Sequence, residues 1–394
     1  MQAFNFKCPT EIVFGPKAQE HIAEKIKAYG KSRVFIVYGG GSVIESGLLP
    51  RIESQLTAAG LSLQVRGGVK PNPRLAWVRG AINDAMIFKA DFILAVGGGS
   101  VIDSAKAVAH GAANPGVDIW DFWSGKVKLE KTTAMGAVLT LAAAGSETSD
   151  SAVLTNEETG KKAGLNTDLN RPTLAFMNPE LAFTAPKRQV FCGIADILMH
   201  TMERYFTRDT APNEMTDIIA EGLMKNVIKH SRTLLDDPKN YDAMSEIMWC
   251  GSLSHNNLTG LGRDKDFACH KLGHELSGRF DVTHGASLTS VWGGWAGYVW
   301  QDNPERFARF AENVWGITAG TTEEKAQKGI EATLAYFKEI DMPVNFTELG
   351  IGVQNKEMIE YLADMVTSDG TKTVATFHPI DKETAMEIYQ LANH

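Results

Sequence analysis

The chain has 394 residues, 44% of them hydrophobic and 22% charged, with a formal net charge of −8. That length suits two globular domains with sizeable cores, and the acidic balance argues against a nucleic-acid partner. The four cysteines (Cys8, Cys192, Cys250 and Cys269) make no CxxC pair and no disulfide framework, which points to a reducing compartment. No apolar run approaches the roughly eighteen residues of a membrane span, and the N-terminal stretch lacks the basic-then-apolar pattern of a signal peptide. A cytoplasmic protein with no membrane partner is expected. In chain order, Phe4, Phe6, Ile12, Val13 and Phe14 before Gly15 read as one or two strands at a sheet edge. Residues 19–29 read as a short helix. Arg33 to Ser42 (RVFIVYGGGS) is a continuous apolar run ending in glycines, the pattern of a buried parallel strand entering a tight turn. Residues 62–65 make another strand, the prolines of Val69-Lys70-Pro71-Asn72-Pro73 mark a turn, and residues 79–89 are helical. Asp91 to Val96 (DFILAV) repeats the buried-strand pattern, with Gly97-Gly98-Gly99-Ser100 and a helix over 101–109 behind it. Residues 135–141 and 173–177 read as later strands. Alternating strands and helices predict a mostly parallel sheet.

Past Ala185 the strand runs stop and helical periodicity takes over. Ile218, Ile219, Leu223, Val227 and Ile228 make one apolar stripe. Asn303-Pro304, Thr322 and Asp381 each open a helix. The expected organisation is a Rossmann-like α/β domain over residues 1–185 and an all-helical domain over 186–394.

Chemistry concentrates in two stretches of the helical half. Asp196 and His200 lie four residues apart, with Glu203 continuing that face. His270 and His274 share the same spacing, and His284 follows past a break at Gly278. One carboxylate and three or four imidazoles without thiolates suit an open site for zinc or iron(II). Glu203 reads either as a partner that orients a ligand or as part of a solvated face. His21, His110, His230 and His255 lack such company and read as ordinary surface or core histidines. In the sheet half, Gly97 to Ser100 between strand and helix reads as a pyrophosphate cradle. Glycine lets the backbone approach an anion, and the helix N-terminus faces it. Asp103 is placed to cap that helix or to meet a ribose hydroxyl. In the earlier turn, Gly39, Gly40, Gly41 and Ser42 are small and leave room for a 2′-phosphate, which favours NADP(H). Glu45, close by, offers the alternative of a ribose contact.

The GGGSxxDxAK strand–turn–helix, the Gly145-Ser146-Glu147 turn and the D-x-x-x-H…H-x-x-x-H…H set together resemble the iron-containing (group III) alcohol dehydrogenases, in the butanol dehydrogenase and aldehyde reductase branch. The resemblance implies the same α/β-plus-helical fold, with the site in the cleft between the domains. It implies that Asp196, His200, His270 and His284 hold Fe2+ or Zn2+, and that His274 meets substrate and nicotinamide. It also implies that Gly97, Gly98, Gly99, Ser100, Asp103, Thr140, Ser146, Ser149 and Lys162 face the cofactor, beside Gly39–Ser42 and Asn72. Ala144 departs from the Thr that many relatives carry before this turn, which removes one hydroxyl contact. The implied activity is an alcohol dehydrogenase or aldehyde reductase acting on small to medium primary alcohols and aldehydes; the turn reading above adds a preference for NADP(H), with NAD(H) also usable, and the edge-like N-terminal strands point to a homodimer formed by strand pairing. The competing expectations are an NAD-dependent zinc polyol dehydrogenase, a dehydroquinate synthase-like enzyme using Arg263, Lys265 and Lys271, and a non-catalytic nucleotide-binding protein of the same fold.

Overall fold

A computed structural model describes residues 1–394. The chain forms two compact units: residues 7–186 with 239–252, and residues 1–6 with 187–238 and 253–394.

The first unit is built on a six-stranded sheet in the order β1-β8-β5-β4-β2-β3, every neighbouring pair parallel. Its strands are β1 (Glu11–Phe14), β2 (Arg33–Tyr38), β3 (Ser62–Arg66), β4 (Phe92–Gly97), β5 (Ala134–Leu139) and β8 (Leu174–Met177). The helices between them are α1 (Ile22–Ala28), α2 (Ser42–Glu45), α3 (Leu48–Ala58), α4 (Leu75–Phe88), α5 (Gly99–Ala113) and α6 (Ile119–Trp123). β4 is buried along its whole length, as its unbroken apolar run requires. Val34, Ile36, Leu94, Val96, Val138 and Phe176 pack on Ile22, Ile26, Ile52 and Leu56 to form one core. The chain goes outward from β2 to β3, then returns past β2 to lay down β4, β5 and β8. The direction of winding therefore switches between β2 and β4, and open α/β sheets bind ligands in the crevice at such a point.

The structure bears out the expected edge strand as a single strand and adds a hairpin. Only Glu11–Phe14 pairs as a strand, because residues 1–6 belong to the other unit, where the Gln2 N–H donates to Gly262 O at 2.9 Å. An antiparallel hairpin, β6 (Ser151–Asn156) and β7 (Lys161–Asn166), was not expected. β7 is exposed or half-exposed along its length and opens on Lys161 and Lys162, so it lacks an apolar signature.

The second unit is helical. Its elements are α7 (Lys187–Tyr205), α8 (Glu214–Asp236), α10 (Ala268–Phe280), α11 (His284–Val299), α12 (Pro304–Trp315), α13 (Thr322–Glu339), α14 (Phe346–Leu349), α15 (Lys356–Thr367) and α16 (Lys382–Ala392). The remaining helix, α9 (Tyr241–His255), ends in this unit after running through the other. Helices start where the sequence places them, at Pro304, Thr322 and beside Asp381. Asn303 accepts from Arg306 N, Thr321 and Glu324 form a reciprocal capping box, and Asp381 accepts from Thr384 N. The apolar stripe on α8 is corrected, since Ile218 is 51% exposed. Its place on the buried face goes to Asp217 and Glu221. Asp217 meets Arg263 and Arg306, each at 2.5 Å, and Glu221 meets Arg309 at 2.7 Å. Paired charges thus displace an apolar residue outward. α7 is buried from Val190 to Tyr205, on all sides, so the polar groups it carries need partners inside the protein. No helix is long and apolar enough to cross a membrane.

Candidate metal centre and dinucleotide cradle

α7 supplies Asp196 and His200 on one face, one turn apart. α10 and α11 form a helical hairpin that brings His270 and His284 to the same point, although fourteen residues separate them. Gly285 makes that approach possible. A Cβ there would stand 2.8 Å from the carbonyl carbon of Cys192 on α7 and closer still to its oxygen, so only glycine lets α11 lie against α7 at this depth. His284, one residue earlier, is thereby delivered to Asp196.

The donor atoms converge on one carboxylate oxygen. Asp196 Oδ1 lies 3.6 Å from His200 Nδ1, 3.5 Å from His270 Nε2 and 3.7 Å from His284 Nε2. Atoms bound to a divalent ion at about 2.0–2.2 Å in tetrahedral array stand about 3.3–3.6 Å apart. Asp196, His270 and His284 each offer a ligand atom within 4.8 Å of the others. Asp196 Oδ1, His200 Nδ1 and His270 Nε2 are buried with no hydrogen-bond partner. Buried polar atoms aimed at a common centre without partners are costly unless something binds there. Asp196, His270 and His284 therefore fit a divalent cation, with His200 Nδ1 near Asp196 but outside the group whose donor atoms lie within reach of one another.

The surroundings hold these ligands in orientation and protonation state. Burial, helped by the neighbouring His255 and His270, drives the His200 pKa well below its usual range and keeps the ring neutral, the form that ligates. Burial also disfavours the charged form of His270, but the Glu203 and Asp196 carboxylates outweigh it and hold its pKa up at about 9, so a cation binding at Nε2 would displace a proton. Glu203 is completely buried, accepts from the His270 backbone N–H at 3.1 Å, and pairs with His270 Nδ1. That contact fixes which ring nitrogen faces Asp196. It resolves the two readings of Glu203 in favour of orientation. The loop leading into α10 is pinned by Asp266, which accepts from the N–H groups of Thr376 (2.8 Å), Phe377 (2.7 Å) and Ala268 (3.2 Å). Burial lifts the Asp266 pKa to about 6 against these bonds.

His274 stands half-buried beside the cluster, its ring centroid 5.1 Å from that of His284 and 6.2 Å from that of His270. His255 is a correction. Read as an ordinary histidine, it instead lies against His200, the rings tilted by 40° with centroids 3.9 Å apart. It has no i+4 companion, so helical spacing could not reveal it. His110 does lie in the core, fully buried between Thr132 and Asn170, each at 2.8 Å.

In the sheet unit, Tyr38 and Val96 are register partners, so the turns that follow β2 and β4 open side by side at the switch point. A Cβ on Gly97 would stand 2.7 Å from Val101 Cβ, so this position requires glycine for α5 to start directly off β4. Asp103, one turn into α5, spends both oxygens inside the protein, accepting from Ser146 Oγ at 2.5 Å and Val153 N at 2.9 Å. Burial pushes its pKa up against the pull of Lys106 and Ser146. Ser149 is buried against Lys106, and Lys162 Nζ donates to Asn72 Oδ1 at 3.0 Å. The Thr140 N–H donates to Gly97 O at 3.1 Å, and Ala144 faces Gly99. Sequence reading gave Lys106 no role of its own. Fully buried, it donates to Ser151 O at 2.7 Å, and burial lowers its pKa to about 8. It clamps the 149–151 segment onto α5, as Asp103 clamps Ser146 and Val153. The visible clue was a single cation within the small and apolar run SAKAVA.

A switch-point sheet with a glycine cradle, joined to a helical unit carrying a buried Asp–His cluster, defines a metal-dependent oxidoreductase of the alcohol dehydrogenase and aldehyde reductase type. The family description "Iron-containing alcohol dehydrogenase" matches residues 9–179, and its C-terminal counterpart matches residues 191–393. The NADH-dependent butanol dehydrogenase A of Clostridium acetobutylicum is 36% identical over 392 residues, 99% of each chain. The NADPH-dependent aldehyde reductase YqhD of Escherichia coli K12 is 32% identical over the full length of both. Among solved structures, an NADH-dependent butanol dehydrogenase A from Thermotoga maritima superposes with a TM-score of 0.95 at 36% identity, covering 100% of this chain and 99% of that one. This chain belongs to the iron-containing alcohol dehydrogenase family, in its butanol dehydrogenase and aldehyde reductase branch.

Proposed function

We propose that this enzyme interconverts small to medium primary alcohols and aldehydes using a nicotinamide dinucleotide and one divalent ion, Fe2+ or Zn2+, held by Asp196, His200, His270 and His284. The convergence of three imidazoles on Asp196 Oδ1 carries the reading. When bound, the ion supplies Lewis-acid polarisation of the substrate oxygen, and the dinucleotide supplies or takes the hydride. Asp196 brings a single negative charge to the ligand set, so a divalent ion held there would keep a net positive charge suited to an oxygen gaining negative charge. His274 exchanges the proton of that oxygen with water. Glu203 keeps the His270 ring turned toward Asp196 throughout. Gly97, Gly98, Gly99 and Ser100 bind the pyrophosphate through backbone N–H groups at the start of α5. Asp103 and Lys106 keep the 146–153 segment fixed against that helix.

The test is a pair of substitutions with two readouts, metal content and aldehyde reduction. His270→Ala is expected to lose both while keeping helical circular dichroism. His274→Ala is expected to keep the metal and reduce slowly. Retained metal and turnover in His270→Ala would remove the ligand assignment, and a metal-free His274→Ala would make His274 a ligand.

A further inference from the structure

We propose that Glu45 makes this enzyme select NAD(H) over NADP(H). The inference rests on the dinucleotide reading above and concerns the adenosine end of that molecule. The turn after β2 opens beside the pyrophosphate cradle, one strand away at the switch point, where the ribose of a dinucleotide is recognised. From Gly39 to Ser46 the sequence is GGGSVIES, and Glu45 is its one charged residue. α2 is a single turn in which the Glu45 N–H donates to Gly41 O at 2.9 Å. That turn folds the side chain back over the glycines, with Glu45 Oε1 only 3.0 Å from the point a Cβ on Gly41 would occupy. Gly41, Ser42 and Glu45 are all exposed, so the carboxylate stands at the open mouth of the turn.

A carboxylate in that position accepts hydrogen bonds from a free ribose diol. It repels a 2′-phosphate, whose two negative charges would meet it across a glycine turn. The next basic residue along the chain, Arg51, has its guanidinium against Gly47. Lys70 and Arg74, on the loop after β3, line a cavity with Trp77, Ser104 and Glu157, where Glu157 supplies an opposing charge. The small residues of the turn do leave space for a phosphate, but Glu45 fills that space with like charge. The preference expected from Ser42 alone is thereby reversed.

Dissociation constants for NADH and NADPH, measured by calorimetry on the metal-loaded wild type, Glu45→Gln and Glu45→Lys, test this without relying on turnover. Wild type is expected to bind NADH at least about 10-fold tighter, the size of a hydrogen bond to a charged group. Glu45→Gln should narrow that ratio toward unity, and Glu45→Lys should invert it. A wild type that binds NADPH as tightly as NADH, or a ratio unmoved in Glu45→Gln, overturns the assignment while leaving the enzyme reading intact. A wild type that binds neither dinucleotide overturns the enzyme reading, and the assignment falls with it.

Discussion

Gly285 offers the sharpest test of how the metal centre is assembled, because it is not itself a ligand. In Gly285→Ala the new methyl would lie 2.8 Å from the Cys192 carbonyl carbon, and side-chain carbons essentially never sit within 3.0 Å of such an atom. The obstacle is backbone, so no rotamer can relieve it. α11 must move away from α7 by roughly 1 Å to regain ordinary van der Waals separation. His284 Nε2 already stands 3.7 Å from Asp196 Oδ1, at the outer limit of what a shared ion tolerates. A further displacement of about 1 Å takes it out of reach, an error that costs about 100-fold in rate. Metal affinity should fall by at least about 10-fold to 100-fold. The overpacking itself should cost about 1–3 kcal/mol of stability. Gly297, on the same helix, is the control, since a Cβ there meets nothing within 4 Å. Gly297→Ala should stabilise by about 0.5–1 kcal/mol and leave the centre untouched. The assay is chelator competition with elemental analysis, alongside thermal unfolding of both variants. If Gly285→Ala holds metal as tightly as Gly297→Ala, close approach of α11 to α7 does not build the site.

Glu203→Gln keeps the shape of the side chain and removes its charge, so it should weaken metal binding about 10-fold to 100-fold with circular dichroism unchanged. Wild-type affinity measured by chelator competition would show that the Glu203–His270 contact is incidental. His110 predicts a pH dependence that does not involve the metal. Burial lowers its pKa to about 4, so below its ordinary pKa near 6.5 the unfolded chain takes up a proton that the folded one refuses. Stability is therefore present above about pH 6.5 and lost progressively as the pH falls toward 4. From pH 7 to pH 5 this group alone should remove about 2 kcal/mol. Urea unfolding at the two values, in wild type and His110→Gln, checks it. The idea is refuted if the substitution leaves the difference between the two pH values unchanged.

Much of the architecture followed from local chemistry. Apolar runs closed by glycines marked β2 and β4, and Asn303-Pro304, Thr322 and Asp381 marked helix starts, because strand burial and helix capping are decided within a few residues. The spacing of Asp196 with His200 likewise placed two candidate ligands on one face of α7, since helical periodicity is a property of the chain alone. What spacing could not decide was which groups become neighbours across helices. The packing of α7 against the α10–α11 hairpin turned Glu203 from one residue of a possible solvated face into the buried partner of His270. It gave Gly285 a purpose invisible in sequence, and the end of α9 brought the His255 ring within 3.9 Å of that of His200. Burial of paired charges on α8 sent Ile218 outward against its hydropathy. The fold of α2 carried Glu45 back over Gly41, where a run of small residues had read as open space. Sequence thus determined the elements and the candidate donors, because those depend on contacts between near neighbours. Tertiary structure alone decided orientation, protonation state and charge at the point of binding, because each depends on distance and burial between residues far apart in the chain.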